Sequence, residues 1–182
     1  MLTKLVITAT LGLVARGSPQ DFDTADLATK RLAPAMFGSL PIDIRRDLEK
    51  RGCTIPQAFT ASRPGNVISG RFYSAGKADW AVLCSVNRMS SILVFRGGSV
   101  SSVVELANLP DSTFLQVVGP NDAIGYSRAI VVATSRYIQE HNRSNPKLPR
   151  LDHEGINDLF VEKGSSVWYW DGGRWLELDA ND

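Results

Sequence analysis

The residues best equipped for chemistry lie near the C-terminal end, where Asp152, His153 and Glu154 are consecutive and Asn157, Asp158, Glu162 and Lys163 follow. An imidazole flanked by carboxylates can serve as a general base or as a metal ligand. The spacing argues against a simple local site, because adjacent side chains point in different directions on either a helix or a strand. The other histidine, His141, precedes a proline-containing loop. No catalytic set is assigned. Asp152, His153 and Glu154 are the candidates for a small hydrolase, and the competing expectation for them is a solvated loop or a helix start.

Two further groups could do something specific. Trp168, Tyr169, Trp170 and Trp175 surround the glycine turn Asp171-Gly172-Gly173, a pattern that predicts a β-hairpin. Strand alternation puts Trp168 and Trp170 on one face and Tyr169 on the other. Trp168, Trp170 and Trp175 could form an aromatic binding surface for a glycan or a protein partner. The plainer expectation is core plus ordinary surface cover. Cys53 and Cys84 permit one disulfide in an exported chain. Closing a loop of about 30 residues would contribute about 3 to 4 kcal/mol in the chain-entropy account. Two buried thiols, acting as small apolar residues, are the alternative.

Other chemistries are not signalled. There is no Gly-x-Ser-x-Gly elbow, and neither cysteine has an obvious histidine partner in sequence. The Gly70 to Gly76-Lys77-Ala78 stretch has one residue too many between its glycines and lacks the Ser or Thr after Lys that a phosphate-binding loop uses. Gly97-Gly98 lacks the third glycine and the helix of a dinucleotide site. No cofactor and no metal are expected. A formal charge of +1 with no run of like charge disfavours a nucleic-acid module or a membrane-surface patch.

The elements that must position these residues come from a chain of 182 residues, 43% hydrophobic and 21% charged, which suits one globular domain with a substantial core. Residues 1–17 read as a signal peptide: Lys4 is the basic start, residues 5–15 the apolar run, and Ala15-Arg16-Gly17 the small-residue cut site. The competing reading is an N-terminal strand or buried segment. The apolar run is shorter than the about 20 residues that span a bilayer as a helix, so no membrane span is expected. Residues 18–38 form a flexible lead-in with a short helix, capped by Asp23 or Thr24 and running to Leu32. Residues 39–182 form a single α+β domain.

Within it, Pro41 suits the first turn of a helix whose buried face is Ile42, Ile44, Leu48 and the stem of Arg45, and Gly52 stops it. Strands are expected at 67–72, 80–85, 91–95, 100–106 and 114–118. Residues 129–133 favour a strand, although Ile130, Tyr137 and Ile138 also fit helical spacing, so 123–141 stays open between the two. Residues 142–149 read as an exposed loop, and residues 179–182 should fray.

Residues 70–83 resemble the calcium-loop repeats of the FG-GAP and VCBS type, G-D-F-N-G-D-G-K-x-D-h-A-V-h with h apolar. Gly70, Phe72, Gly76, Lys77, Asp79, Ala81 and Val82 match without a gap. The resemblance implies a loop feeding a strand and a Ca²⁺ held by oxygen side chains. Here the ligand positions before the second glycine are Arg71, Tyr73 and Ala75. A dication that wants 6 to 8 oxygens cannot be held by Asp79 alone facing an arginine. The geometry is carried over and the metal is not. Asp79 is expected to cap loop amides or to pair with Arg71 or Lys77. The order of features across most of the chain also resembles that of small exported bacterial proteins of unknown function.

The fold expected is therefore α+β, a largely antiparallel sheet with an N-terminal helical segment and a C-terminal β-hairpin. The function expected is a non-catalytic periplasmic or secreted domain, binding or envelope-associated, with an unknown protein or glycan partner.

Overall fold

The computed structural model describes residues 21–119 and 122–180; the expected signal peptide at 1–17 lies outside them. In chain order the elements are α1 (Phe22–Ala28), β1 (Arg31–Leu32), α2 (Ile42–Lys50), β2 (Ile55–Pro56), β3 (Val67–Gly70), β4 (Asp79–Val86), β5 (Met89–Phe95) and β6 (Val103–Pro110). They continue with β7 (Leu115–Val117), β8 (Ile124–Tyr126), β9 (Arg128–Ala133), α3 (Ser135–His141), β10 (Gly155–Phe160), β11 (Gly164–Trp170) and β12 (Trp175–Asp179). The fold is mixed α+β and mainly strand. Among the described residues all pairing is antiparallel, in two four-stranded sheets, β3-β4-β5-β6 and β12-β11-β10-β9, and two short ribbons, β1-β2 and β7-β8.

The first sheet grows from the β4–β5 hairpin. Its turn is Asn87-Arg88, both at positive φ (51° and 63°), a two-residue connection whose twist matches that of paired strands. Met89 and Ser90, expected in the connection, already belong to β5. Both strands are buried on both faces, so they read as continuous apolar runs. Ala81, Leu83, Ile92 and Val94 face the second sheet, while Val82, Cys84, Leu93 and Phe95 face α2.

Helix α2 covers the outer face of the first sheet with Ile44 and Leu48, and Gly52, at φ 71°, ends it in the left-handed conformation. Ile42 does not share that face and is 52% exposed. Ile44 and Leu48 are four apart, whereas Ile42 is only two from Ile44 and so points elsewhere. Helix α1 is shorter than expected and starts earlier. Its cap is Asp21, whose carboxylate accepts from the Thr24 N–H at 2.6 Å, and Leu32 pairs with Ile55 in the β1–β2 ribbon instead.

The open segment at 123–141 contains both structures, strands β8 and β9 followed by α3, which Thr134 caps. Ile138 of α3 packs with Ala133, Val167, Tyr169 and Leu178 on the outer face of the second sheet. Gly155 permits that approach, since a Cβ there would lie 2.7 Å from Val167 Cγ1 and 3.1 Å from Ile138 Cδ1. The layers thus run α2, first sheet, second sheet, α3. Asp179, expected to fray, pairs with Ser166 in β12, and Ala180 is buried.

The two sheets share an inner core that includes Phe72, Leu83, Ile92, Tyr126, Ile130 and Ile156. They close at one edge, where β9 lies against β3 and β4. Asn66 seals it: the side chain donates to the Pro56 carbonyl at 2.6 Å and to the Arg128 carbonyl at 3.3 Å, and accepts from the Ile130 N–H at 3.0 Å. One amide thereby stands in for a neighbouring strand along an edge that would otherwise invite mispairing. At the opposite edges, β6 and β12, the sandwich is open.

Candidate functional site

The glycine loop between β3 and β4 docks the first sheet onto the second. Asp79, 2% exposed, accepts from the N–H groups of Phe72 (2.9 Å), Tyr73 (3.0 Å) and Gly97 (2.6 Å). It therefore caps loop amides, one of the roles expected for it. Arg71 turns away to Glu154: its N–H donates to Glu154 Oε2 at 2.7 Å, and its carbonyl accepts from the Glu154 N–H at 3.0 Å. Gly70 is required because a Cβ there would lie 2.5 Å from the Phe72 ring and 3.1 Å from Glu154 Oε2. Tyr73 inserts between the rings of Trp170 (centroids 5.0 Å apart) and Trp175 (5.2 Å), with the Arg96 guanidinium 4.8 Å above it. Two of the positions that would ligate calcium in the resembling loops thus join the sheets instead, Arg71 through its main chain and Tyr73 through its ring. Among the described residues no group of three or more His, Cys, Asp or Glu could hold a metal ion.

The Asp152, His153, Glu154 cluster lies beside this clasp. The His153 ring is buried and stacks on Tyr169, with centroids 4.3 Å apart and planes 7° from parallel. Its Nδ1 stands 2.9 Å from the Glu154 carbonyl oxygen and its Nε2 3.0 Å from that of Trp170. The Asp152 carboxylate is 3.8 Å from Nε2 and mostly exposed. Each ring nitrogen therefore faces a main-chain oxygen, and the one that carries the proton donates, so the imidazole bridges the start of β10 and the end of β11. A pocket of about 310 Å³ is lined by His153 itself with Tyr73, Arg150, Asp152, Tyr169 and Trp170.

The larger opening is a cleft of about 510 Å³ at the β6 and β12 side of the sandwich. Its walls are aromatic, from Phe114, Phe160 and Trp168, and its polar groups are Asn108, Asp158, Lys163, Ser166 and Glu177. Beneath it lies Arg128, fully buried at the start of β9. Its Nε donates to Asp158 Oδ1 at 2.9 Å and its Nη2 to Oδ2 at 2.8 Å, a bidentate pair. Nη1 donates to the Ser90 carbonyl and hydroxyl, and Nη2 also to the Ala107 carbonyl, so one guanidinium joins both sheets. Its plane lies 4.5 Å from the Phe114 ring centre. Lys163 lies 4.7 Å over Phe160.

Trp168 lines this cleft, and its buried indole N–H has no hydrogen-bond partner. Trp170 and Trp175, the other two residues of the expected aromatic surface, are half-buried against Tyr73 rather than beside it. Arg128, Phe114 and Phe160 carried no site signal in the sequence. The one available hint was a charged residue, Arg128, heading an otherwise apolar strand.

Cys53 and Cys84 form a disulfide, with Cα atoms 5.3 Å apart and a sequence separation of 31. It pins the end of α2 to β4. No family model, curated protein or solved structure matches the chain significantly.

Proposed function

We propose that this protein is a non-catalytic, exported binding or envelope-associated domain, periplasmic or secreted, whose partner is a protein or a glycan and not nucleic acid. The observation that carries this reading is the division of labour among its polar residues. His153, Glu154 and Asp79, the groups best suited to acid–base or metal chemistry, all hold main-chain groups in place. The cleft of about 510 Å³ at the β6 and β12 side is instead lined by three aromatic rings, the composition of a recognition site. The Cys53–Cys84 bridge supports export, because disulfides persist in oxidising compartments. No helix among the described residues is long and apolar enough to cross a membrane. The likeness of residues 70–83 to calcium loops is read as shared loop geometry without the metal.

Intact mass of the protein from its native compartment tests export. The expected result is cleavage near Gly17 and the loss of two protons from the thiols; a full-length mass with free thiols overturns it. Screening against model esters and peptides tests the rest. Turnover that disappears in His153→Ala would replace this reading by the hydrolase that Asp152, His153 and Glu154 suggested.

A further inference from the structure

We infer that the cleft at the β6 and β12 edge binds a neutral glycan, with a sugar ring packed against Trp168. The inference rests on the reading of the protein as a binding domain and names the ligand class of its site. Three observations converge on it. The cleft volume, about 510 Å³, falls within the range of about 300 to 1,000 Å³ typical of ligand pockets. Its apolar lining is chiefly aromatic, Phe114, Phe160 and Trp168, and flat rings suit the C–H face of a pyranose. Its polar lining supplies carboxylate, amide and hydroxyl groups from Asp158, Glu177, Asn108 and Ser166, which can accept from and donate to sugar hydroxyls.

Charge selects a neutral ligand. Asp158 is compensated by Arg128 through two hydrogen bonds. Lys163, seated over Phe160, is matched by Glu177, which lies opposite Trp168 across β11 and β12. An anionic ligand would meet the carboxylates of Asp158 and Glu177 and a cationic one the Lys163 ammonium, so neither has a complementary wall. The floor is also prebuilt. Arg128 has every one of its nitrogens engaged, and Asp158, held by that arginine, keeps lone pairs on the cleft side because a carboxylate offers about four acceptor sites. A rigid floor reduces the ordering cost of binding.

Titration calorimetry of the full chain against the tetrasaccharides of N-acetylglucosamine, β-1,4-glucose and α-1,4-glucose tests the inference. Tetragalacturonate and tetraglucosamine serve as the charged comparators. Saturable binding of at least one neutral tetrasaccharide is expected, weakened at least tenfold in Trp168→Ala and several-fold in Glu177→Gln. Should Trp168→Ala not fold, Asn108→Trp decides: Asn108 is exposed at the rim, so the new ring blocks the cleft without touching the core, and binding should be lost. The inference is overturned if no neutral tetrasaccharide binds, if a charged comparator binds tighter, or if binding survives Asn108→Trp. Failure here with a cleaved, disulfide-bonded protein removes the glycan alone. Glycan binding by an uncleaved protein with free thiols removes export alone.

Discussion

Trp168 and Trp170 sit two residues apart on the same face of β11, yet one end of that face is filled and the other is open. At the filled end Trp170 and Trp175 receive Tyr73 from the opposite sheet, and Arg96 covers the cluster. At the open end Trp168 lines a cleft whose floor is the Arg128–Asp158 pair rather than a packed ring. The strand supplies the same residue type at both places. What differs is the opposing element: a loop pinned by Asp79 delivers a tyrosine at one end, and β6 delivers Ala107, Asn108 and Leu109 but no ring at the other. Aromatic residues become core or site according to what is set against them.

The largest expected effect comes from breaking the floor of the open end. Asp158→Ala leaves the Arg128 guanidinium buried without its carboxylate, a change of the kind that costs about 3 to 5 kcal/mol. Denaturant unfolding should register it. A loss below about 1 kcal/mol would mean that the cleft is not held open by this pair.

Next comes the filled end. Tyr73→Ala removes the ring between Trp170 and Trp175 and leaves a cavity, with an expected cost of about 3 kcal/mol by analogy with large-to-alanine changes in cores. Tryptophan emission should shift to the red as the two indoles are wetted. A stability unchanged within about 0.5 kcal/mol would erase the contrast between the two ends.

Much of this contrast could not be seen in the sequence. The β4–β5 hairpin was legible because β-formers flank a short polar turn, and α2 was legible from Pro41, Gly52 and the spacing of Ile44 and Leu48. The disulfide was permitted by residue type alone. Strand β10 was hidden, because Asn157 and Asp158 are poor strand formers and extend a polar cluster that reads as a loop. Yet Ile156, Asp158 and Phe160 alternate correctly toward the inner face, and Asp158 is tolerated there only because Arg128, thirty positions earlier, neutralises it. Pairings of that range leave no local trace. Nor does alternation say which strands share a sheet, which is why one sheet was expected where two face each other.

Alkali should separate the ends without any mutation. Burial raises the phenol of Tyr73 above its ordinary value, with Trp175 and Arg96 opposing and Asp79 reinforcing, and burial likewise raises Tyr169 and Tyr126. A group whose pKa is higher in the folded state contributes stability that is complete below its unfolded value, about 10 for tyrosine, and is lost as pH rises through the folded value. Stability should therefore hold up to about pH 10 and fall beyond it, with tyrosinate absorbance rising in step with unfolding. Tyr73 and Tyr169 flank the clasp, whereas no tyrosine lines the cleft. Early ionisation of all tyrosines with no loss of structure would contradict the burial of these rings.

The finest distinction lies between two conservative changes on one strand. Trp170→Phe weakens two ring contacts, a tilted one with Tyr73 at 5.0 Å and an edge-to-face one with Trp175 at 5.9 Å, and such pairs are worth about 0.5 to 1.5 kcal/mol each beyond their buried area. Trp168→Phe removes a buried N–H that has no partner, so part of the lost packing is offset by relief of an unsatisfied donor. Trp168→Phe should therefore be the milder of the two by about 1 kcal/mol, and close to neutral. If a sugar ring packs on the face of Trp168, the order reverses in a binding assay: Trp168→Phe, with its smaller ring, loses affinity although it keeps its stability, and Trp170→Phe does the opposite. Equal effects in both assays would mean that the two indoles occupy equivalent surroundings, and the difference between the filled and open ends would have no energetic content.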